Sequence, residues 1–244
     1  MQSSQPSDQA RPFLTWQRIT DWAHAHYRAR TFNKDERIPT RSGLLYLVER
    51  GAVRLVGTAQ GASPELSSPD LDDGGDDEGS NALALGLSEE AFLGFVGAGQ
   101  PFEIVAQSPF LLQSFAHVDQ TTVLWLYWSD LDNWPHFRRE VLDAFRYQHQ
   151  RKLLWLSTLG QRRTIDRLLG FLTLLIEEFG EPCESGYYLP WSLTHAQIGS
   201  AIGSTRVTVT RLMGKLRQRK LIYIHKDGLI AIPAEQVTAP EALG

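Results

Sequence analysis

Residues 201–216, AIGSTRVTVTRLMGKL, set two arginines among threonines and valines directly after a Gly-Ser turn, in a chain of formal net charge -4. Gly203 ends one helical pattern and permits a positive φ. Ser204 or Thr205 then stands where a cap is needed for a second helix running to about Arg219. In that helix Val209, Leu212, Met213 and Leu216 recur at i, i+3, i+4 and i+7, which is one inward edge. Arg206, Val207, Thr208, Thr210 and Arg211 are left outside. Upstream, Thr194 and Gln197 have the spacing of a capping box, and Ile198, Ala201 and Ile202 give the first helix an apolar edge. Two helices joined by a tight glycine turn, the second polar over its first half, predict a helix-turn-helix.

The residue types fit the chemistry of DNA reading. The second helix of such a motif enters the major groove, its first turns against base edges. Arg206 or Arg211 can donate two hydrogen bonds to guanine O6 and N7, worth roughly 1–3 kcal/mol of discrimination. Val207 offers apolar contact, for which a thymine methyl is the natural target. Ser204, Thr205, Thr208 and Thr210 carry hydroxyls suited to capping or to phosphate oxygens. Beyond the helix, LIYIHKDGLIAI reads as a strand pair around Asp227-Gly228, a wing whose tip residue Lys226 can reach the DNA backbone.

Working outward, charge is divided by region. From Gly57 to Glu90 there are nine acids and no Lys or Arg; from Gly160 to Ile232 there are ten bases and six acids. A basic C-terminal third is masked by an acidic insert, 57–90, whose Gly, Pro, Ser and Asp cannot build a core. The chain of 244 residues is long enough for one or two domains. One cysteine, Cys183, excludes a disulfide framework and suits a reducing cytoplasm. No leader pattern opens the sequence and no apolar run is long enough for a membrane span.

The remaining chain predicts a sensor half. Phe13, Trp16, Ile19, Trp22 and Ala23 space out a short leading helix. GLLYLVERGAVRLVG reads as strand, turn, strand, and further short strands between residues 91 and 128 suggest a small barrel or sandwich. From Pro135 to about Leu159 no Gly or Pro intervenes, and Leu142, Phe145, His149, Leu153 and Leu156 form one stripe. Self-pairing across a two-fold axis would cover it; packing on the β-domain is the alternative. The expected domains are 1–130 (sensor), 131–160 (dimerisation helix), 161–235 (winged helix-turn-helix) and 236–244 (tail). The fold class is α+β.

The C-terminal part resembles the Crp/Fnr superfamily of bacterial transcription regulators, over about residues 165–232. It is most similar to the cyanobacterial nitrogen-control branch, whose hallmark helix reads very like GSTRVTVTRL. The N-terminal half resembles the superfamily in outline, as a cyclic-nucleotide-binding-like β-roll followed by a dimer helix. The resemblance implies a cytoplasmic homodimer that reads double-stranded palindromic DNA with GT-containing half-sites through Arg206, Val207 and Arg211. It also implies contact with RNA polymerase, and no membrane partner.

Departures from the family bear on the effector. In GQPFEIVAQSPFLLQSFAHV, Glu103 matches the family's glutamate, but Gln113-Ser114 stands where the phosphate-binding Arg-Ser is expected. A neutral Gln cannot make the charge-assisted pair to a cyclic phosphate, which disfavours cyclic AMP. A lone cysteine cannot hold an iron-sulfur cluster, and a haem would need an isolated histidine such as His117 or His149. Arg28, Arg30, Lys34, Arg37 and Arg41 lie within fourteen residues, with Trp22 just upstream. Arginines beside an aromatic ring suit a ligand with phosphates and purines, and cyclic di-GMP fits that description. The same arginines could instead be neutralised by Asp35 and Glu36, or face the acidic insert. A signalling adaptor acting through a protein partner, without an effector, is the competing function. An enzyme is not indicated: the sequence has no P-loop, no Ser-His-Asp arrangement and no metal-spaced ligands.

Overall fold

The computed structural model describes residues 17–59, 90–104, 110–225 and 228–237. Phe13, Trp16, most of the acidic insert, Lys226, Asp227 and nearly all of the tail lie outside them. Two four-stranded antiparallel sheets form the N-terminal domain. The first runs β1 (Ala29–Phe32), β8 (Thr121–Tyr127), β3 (Leu44–Arg50), β6 (Pro101–Phe102). The second runs β2 (Arg37–Ile38), β7 (Phe110–Ala116), β4 (Ala52–Ala59), β5 (Glu90–Gly97).

Strand β3 shows why five successive residues, Leu44 to Val48, are all buried. Side chains alternate across a strand. Tyr46 and Val48 enter the core between the sheets with Phe32, Ile38, Val53 and Val123. Leu45 and Leu47 enter a second core behind the first sheet, with Leu124, Leu126, Ile19 and Val141. The leading helix, α1 (Gln17–Ala25), supplies Ile19 and Ala23 to this second layer.

The strand-turn-strand predicted at residues 43–57 exists, but its strands do not pair with each other: β3 bonds β8 and β6, while β4 bonds β5 and β7. The chain changes sheets at Gly51, which has φ +85, and a Cβ there would sit 2.5 Å from the Thr121 hydroxyl. Only glycine fits that corner.

A 3-10 turn, Trp128–Asn133, leads into α2 (Pro135–Leu159), with Pro135 in its first turn as expected. Its 25 residues span about 37 Å at the α-helical rise. The predicted stripe divides. Phe145 turns inward, its ring 6.2 Å from that of Trp128, while Val141 and Ala144 seat the helix on the second core. Leu142, His149, Leu153 and Leu156 stay outside, the leucines 45–61% exposed.

The C-terminal domain begins with α3 (Thr164–Phe179), whose Leu168, Phe171, Leu172, Leu175, Ile176 and Phe179 are buried. A hairpin follows that the sequence did not suggest, β9 (Glu181–Cys183) with β10 (Gly186–Tyr188). Next come α4 (His195–Ile202), α5 (Arg206–Gln218), β11 (Tyr223–Ile224) and β12 (Ile230–Pro233). The wing strands β11 and β12 pair as expected, and β12 also bonds β10, giving one sheet of order β11-β12-β10-β9.

The two domains share a core. Phe92 of β5 packs among Phe171, Ile198, Ile202 and Val209, with Phe95 and Trp155 against the same cluster. The Phe92 amide donates to the Ser200 hydroxyl at 3.1 Å, and the Gln100 side chain donates to Glu178 at 2.9 Å. His117 completes the junction: Nε2 lies 3.2 Å from the Ser192 carbonyl, and the ring meets Phe95 and Trp191. Burial, reinforced by Arg54, lowers the His117 pKa from 6.5 to about 4, so the ring is neutral near pH 7. This use of His117 is structural.

Candidate nucleic-acid interface

Local capping builds the helix pair. The Thr194 hydroxyl accepts from the Gln197 amide at 3.1 Å, and Gln197 Oε1 accepts from the Thr194 amide at 3.0 Å. Gly203 closes α4 in the left-handed region, φ 61 and ψ 54. Thr205, rather than Ser204, caps α5 and accepts from the Thr208 amide at 3.2 Å. Its own hydroxyl donates to Thr208 Oγ1 at 3.0 Å. Both hydroxyls are thus engaged in the turn.

Helix α5 is sided as its sequence demands. Val209, Leu212, Met213 and Leu216 are buried, whereas Arg206, Val207, Thr210 and Arg211 are exposed. Val207 is 73% exposed, a high value for an aliphatic side chain on a short helix. No ion pair engages Arg206 or Arg211 among the described residues. The helix contains no acid and carries Lys215 and Arg217 in its last turn. Thr210 is held from two sides: its hydroxyl lies 3.0 Å from the Arg206 carbonyl and 2.8 Å from His195 Nδ1. His195 was not singled out from the sequence. The only signal was a titratable ring at the first position of α4, fifteen residues before a threonine.

The proposed effector arginines do not converge as one cluster. Arg28 is paired with Asp130 and lies between Trp22 and Tyr127, 4.8 and 5.1 Å from their ring centres. Arg30 pairs with Glu36 at 2.8 Å and covers Phe32. Asp35 faces Arg54 at 3.6 Å instead of any of the five. Arg37 is on β2, in the other sheet from Arg30. Arg30 and Arg41 both line a cleft of about 270 Å³ walled by Tyr46, Trp125 and Tyr127. Trp22 is not part of that wall. Ser114, where the sequence resemblance expects a phosphate-binding serine, is fully buried and donates to the Ile38 carbonyl at 3.2 Å. Glu103 accepts from the Trp128 indole at 3.3 Å. Neither group is disposed as a free phosphate ligand.

Between β5, α2 and α3 lies a further cavity of about 180 Å³, with Phe92, Trp155 and Phe171 on its walls. At its edge Arg151 bridges Glu177 and Glu178, at 3.2 and 3.4 Å. Burial raises the Glu178 pKa, and Arg151 opposes that shift. Among the described residues no cluster of His, Cys, Asp or Glu could hold a metal ion, and no helix is long and apolar enough to cross a membrane. His149 is exposed on α2.

Residues 166–236 match the Crp-like helix-turn-helix domain family. Over 73 residues the chain is 49% identical to the global nitrogen regulator of Nostoc sp., covering 30% of this chain and 33% of that protein. Over 92 residues it is 49% identical to the global nitrogen regulator of Synechococcus elongatus, covering 38% and 41%. The chain therefore aligns with less than half the length of these relatives. The whole fold is similar to a cyclic nucleotide-binding domain containing protein from Listeria monocytogenes, with a TM-score of 0.67, 13% identity, and coverage of 91% of this chain and 98% of that one. It is also similar to a CooA mutant from Carboxydothermus hydrogenoformans, with a TM-score of 0.60, 19% identity, and coverage of 86% and 85%.

Proposed function

We propose that this chain, which carries a Crp-like helix-turn-helix domain on a Crp/Fnr-type fold, is a homodimeric, sequence-specific transcription regulator that binds double-stranded DNA. One observation carries the reading: among the described residues, Arg206 and Arg211 project without acid partners from the exposed face of a doubly capped helix pair. Val207 stands beside them, and Lys215 and Arg217 extend the positive field. The exposed positions Leu142, His149 and Leu156 recur every seven residues, with Leu153 between them, as in a helix that pairs with its own copy. A two-fold axis there sets two reading helices about 34–36 Å apart, one turn of DNA.

Fluorescence anisotropy on a duplex carrying GTA-N8-TAC and on a scrambled duplex tests this. The regulator binds the palindrome more tightly at ~0.15 M salt. Equal affinities with equal salt slopes would remove base readout and leave the adaptor as the better account.

The effector reading is narrower than the arginine run suggested. Arg30 and Arg41, with Trp125 and Tyr127, form the cleft that suits a phosphate-bearing purine such as cyclic di-GMP. Calorimetric titration with cyclic di-GMP, cyclic AMP and 2-oxoglutarate tests it. Heat with cyclic di-GMP that vanishes in Arg30→Ala and Arg41→Ala supports the cleft; heat unchanged in both assigns the ligand elsewhere.

A further inference from the structure

We infer that the cavity between β5, α2 and α3 is a binding site for a small neutral aromatic molecule with one hydrogen-bond acceptor, of the aryl ketone class. The site shares no lining residue with the Arg30 and Arg41 cleft. The inference does not rest on the DNA-reading assignment of α5. Size sets the first limit on the ligand. The cavity measures about 180 Å³. A buried apolar cavity of ~150 Å³ holds one benzene ring. Pockets for drug-sized ligands run from roughly 300 Å³ upward, so a nucleotide is too large for this one.

The walls set the second limit. Phe92, Phe95, Phe102, Phe145, Trp155 and Phe171 line the space with aromatic rings. Phe92 meets Trp155 and Phe171 edge to face, at 5.5 and 6.0 Å between ring centres, and Trp155 lies 5.9 Å from Phe171. A further flat ring continues such an arrangement through edge and offset contacts, which a branched aliphatic chain does not. The lining comes from β5 of the first domain, from α2 and from α3 of the second, so an occupant touches both domains at their joint.

Polar groups set the third. Arg151 and Lys152 in the lining are balanced by Glu103 and Glu178. Most of the polar wall is already committed to the protein. Arg151 holds Glu177, Glu178 and the Leu174 carbonyl. Glu178 also accepts from Gln100, Glu103 accepts from the Trp128 indole, and Gln148 donates to the Pro101 carbonyl. Lys152 is exposed, so water solvates its charge. A charged ligand would therefore enter the aromatic chamber without a dedicated partner, which is costly. Among the described residues, the lining contains a single buried side-chain nitrogen or oxygen without a partner, Trp155 Nε1. An indole N–H only donates. It is satisfied by a ligand that accepts, and a carbonyl on the ring does so without adding charge.

Calorimetric titration of the full-length chain with acetophenone, ethylbenzene and benzoate tests the site. Acetophenone binds about tenfold more tightly than ethylbenzene, which has nearly the same shape without the acceptor; that is the upper end for one neutral hydrogen bond. Benzoate, which brings a charge, binds at least about tenfold more weakly than acetophenone. In Trp155→Phe, which keeps a ring and removes the N–H, ethylbenzene still binds and the advantage of acetophenone disappears. Leu174→Trp places bulk in the chamber from α3 and removes binding of both, with circular dichroism confirming that each variant folds. If wild type binds acetophenone and ethylbenzene alike, or if Trp155→Phe keeps their difference, the indole does not select the ligand and the inference fails. If folded Leu174→Trp still binds acetophenone, the cavity is not the site. Benzoate binding as tightly as acetophenone overturns the neutral class, and no heat from any of the three overturns the site. None of these outcomes bears on DNA reading, which the duplex comparison decides.

Discussion

Arginine is used in opposite ways by the two halves of the molecule. In the β-domain Arg28, Arg30 and Arg54 each face a carboxylate: Asp130, Glu36 and Asp35. All three also cover aromatic rings of the fold. On α5, Arg206 and Arg211 face solvent without a carboxylate among the described residues. A largely buried guanidinium with a partner, as at Arg28 and Arg54, is part of the structure, because separating the pair strands a charge. One without a partner contributes little to stability and is available to an anion that arrives later. Net charge conceals this distinction, which is why a chain of charge -4 can present a basic helix face.

The largest effect that could break the contrast is expected from Arg206→Ala with Arg211→Ala. Removing two bidentate base contacts costs up to about 6 kcal/mol of discrimination between matched and scrambled DNA. The melting transition should hold within about 0.5 kcal/mol. A large stability loss would mean that these arginines, too, hold the fold together.

Next in size is the pH dependence at the junction. His117 has its folded pKa lowered to about 4 from 6.5, so the unfolded chain binds the extra proton between those values. Its stabilising contribution is complete above about pH 6.5 and is lost as pH falls toward 4, a loss of about 3 kcal/mol. Urea unfolding of wild type and His117→Asn across that range checks the sign. The variant should lack that part of the slope, whatever its absolute stability. An unchanged slope would mean the ring is not sealed between the domains.

Arg28→Ala sharpens the comparison from the other side. It leaves the half-buried Asp130 unpaired and uncovers Trp22 and Tyr127, for a cost of about 2 kcal/mol, short of a fully buried pair. Affinity for DNA, measured with folded protein, should not move. The smallest effect is at Gly203, where nothing lies within 4 Å of an added Cβ and only φ +61 opposes a side chain. Gly203→Ala should cost about 1 kcal/mol, visible as a lower thermal midpoint.

The helix-turn-helix was legible because its determinants are local. Thr194, Gln197, Gly203 and Thr205 act within four residues of themselves, and the burial of Val209, Leu212, Met213 and Leu216 follows from a 3.6-residue period. The β-domain was legible in kind but not in connection. The turn at Gly51 looks the same whether it folds a hairpin or passes between sheets, and Thr121, which decides, lies seventy residues away. The effector arginines do not stand together as one cluster for the same reason. Arg28 is claimed by Asp130, 102 residues later, and alternation sends Arg30 and Arg37 to different sheets. The β9–β10 hairpin escaped notice because three-residue strands carry too little alternation to register. Lys226 and the insert at 57–90 were assigned from charge, and Lys226 and most of that insert lie outside the described residues.

If the bare leucine edge of α2 pairs two copies as proposed, abundance becomes a control variable. A lone protomer leaves Leu142, Leu153 and Leu156 in water and, on the proposed function, would bring one helix to a palindrome that offers two seats. If pairing is weak at cellular levels, promoter occupancy climbs with the square of the amount synthesised. Doubling the dose then quadruples the response, and dilution at cell growth switches it off without any ligand leaving.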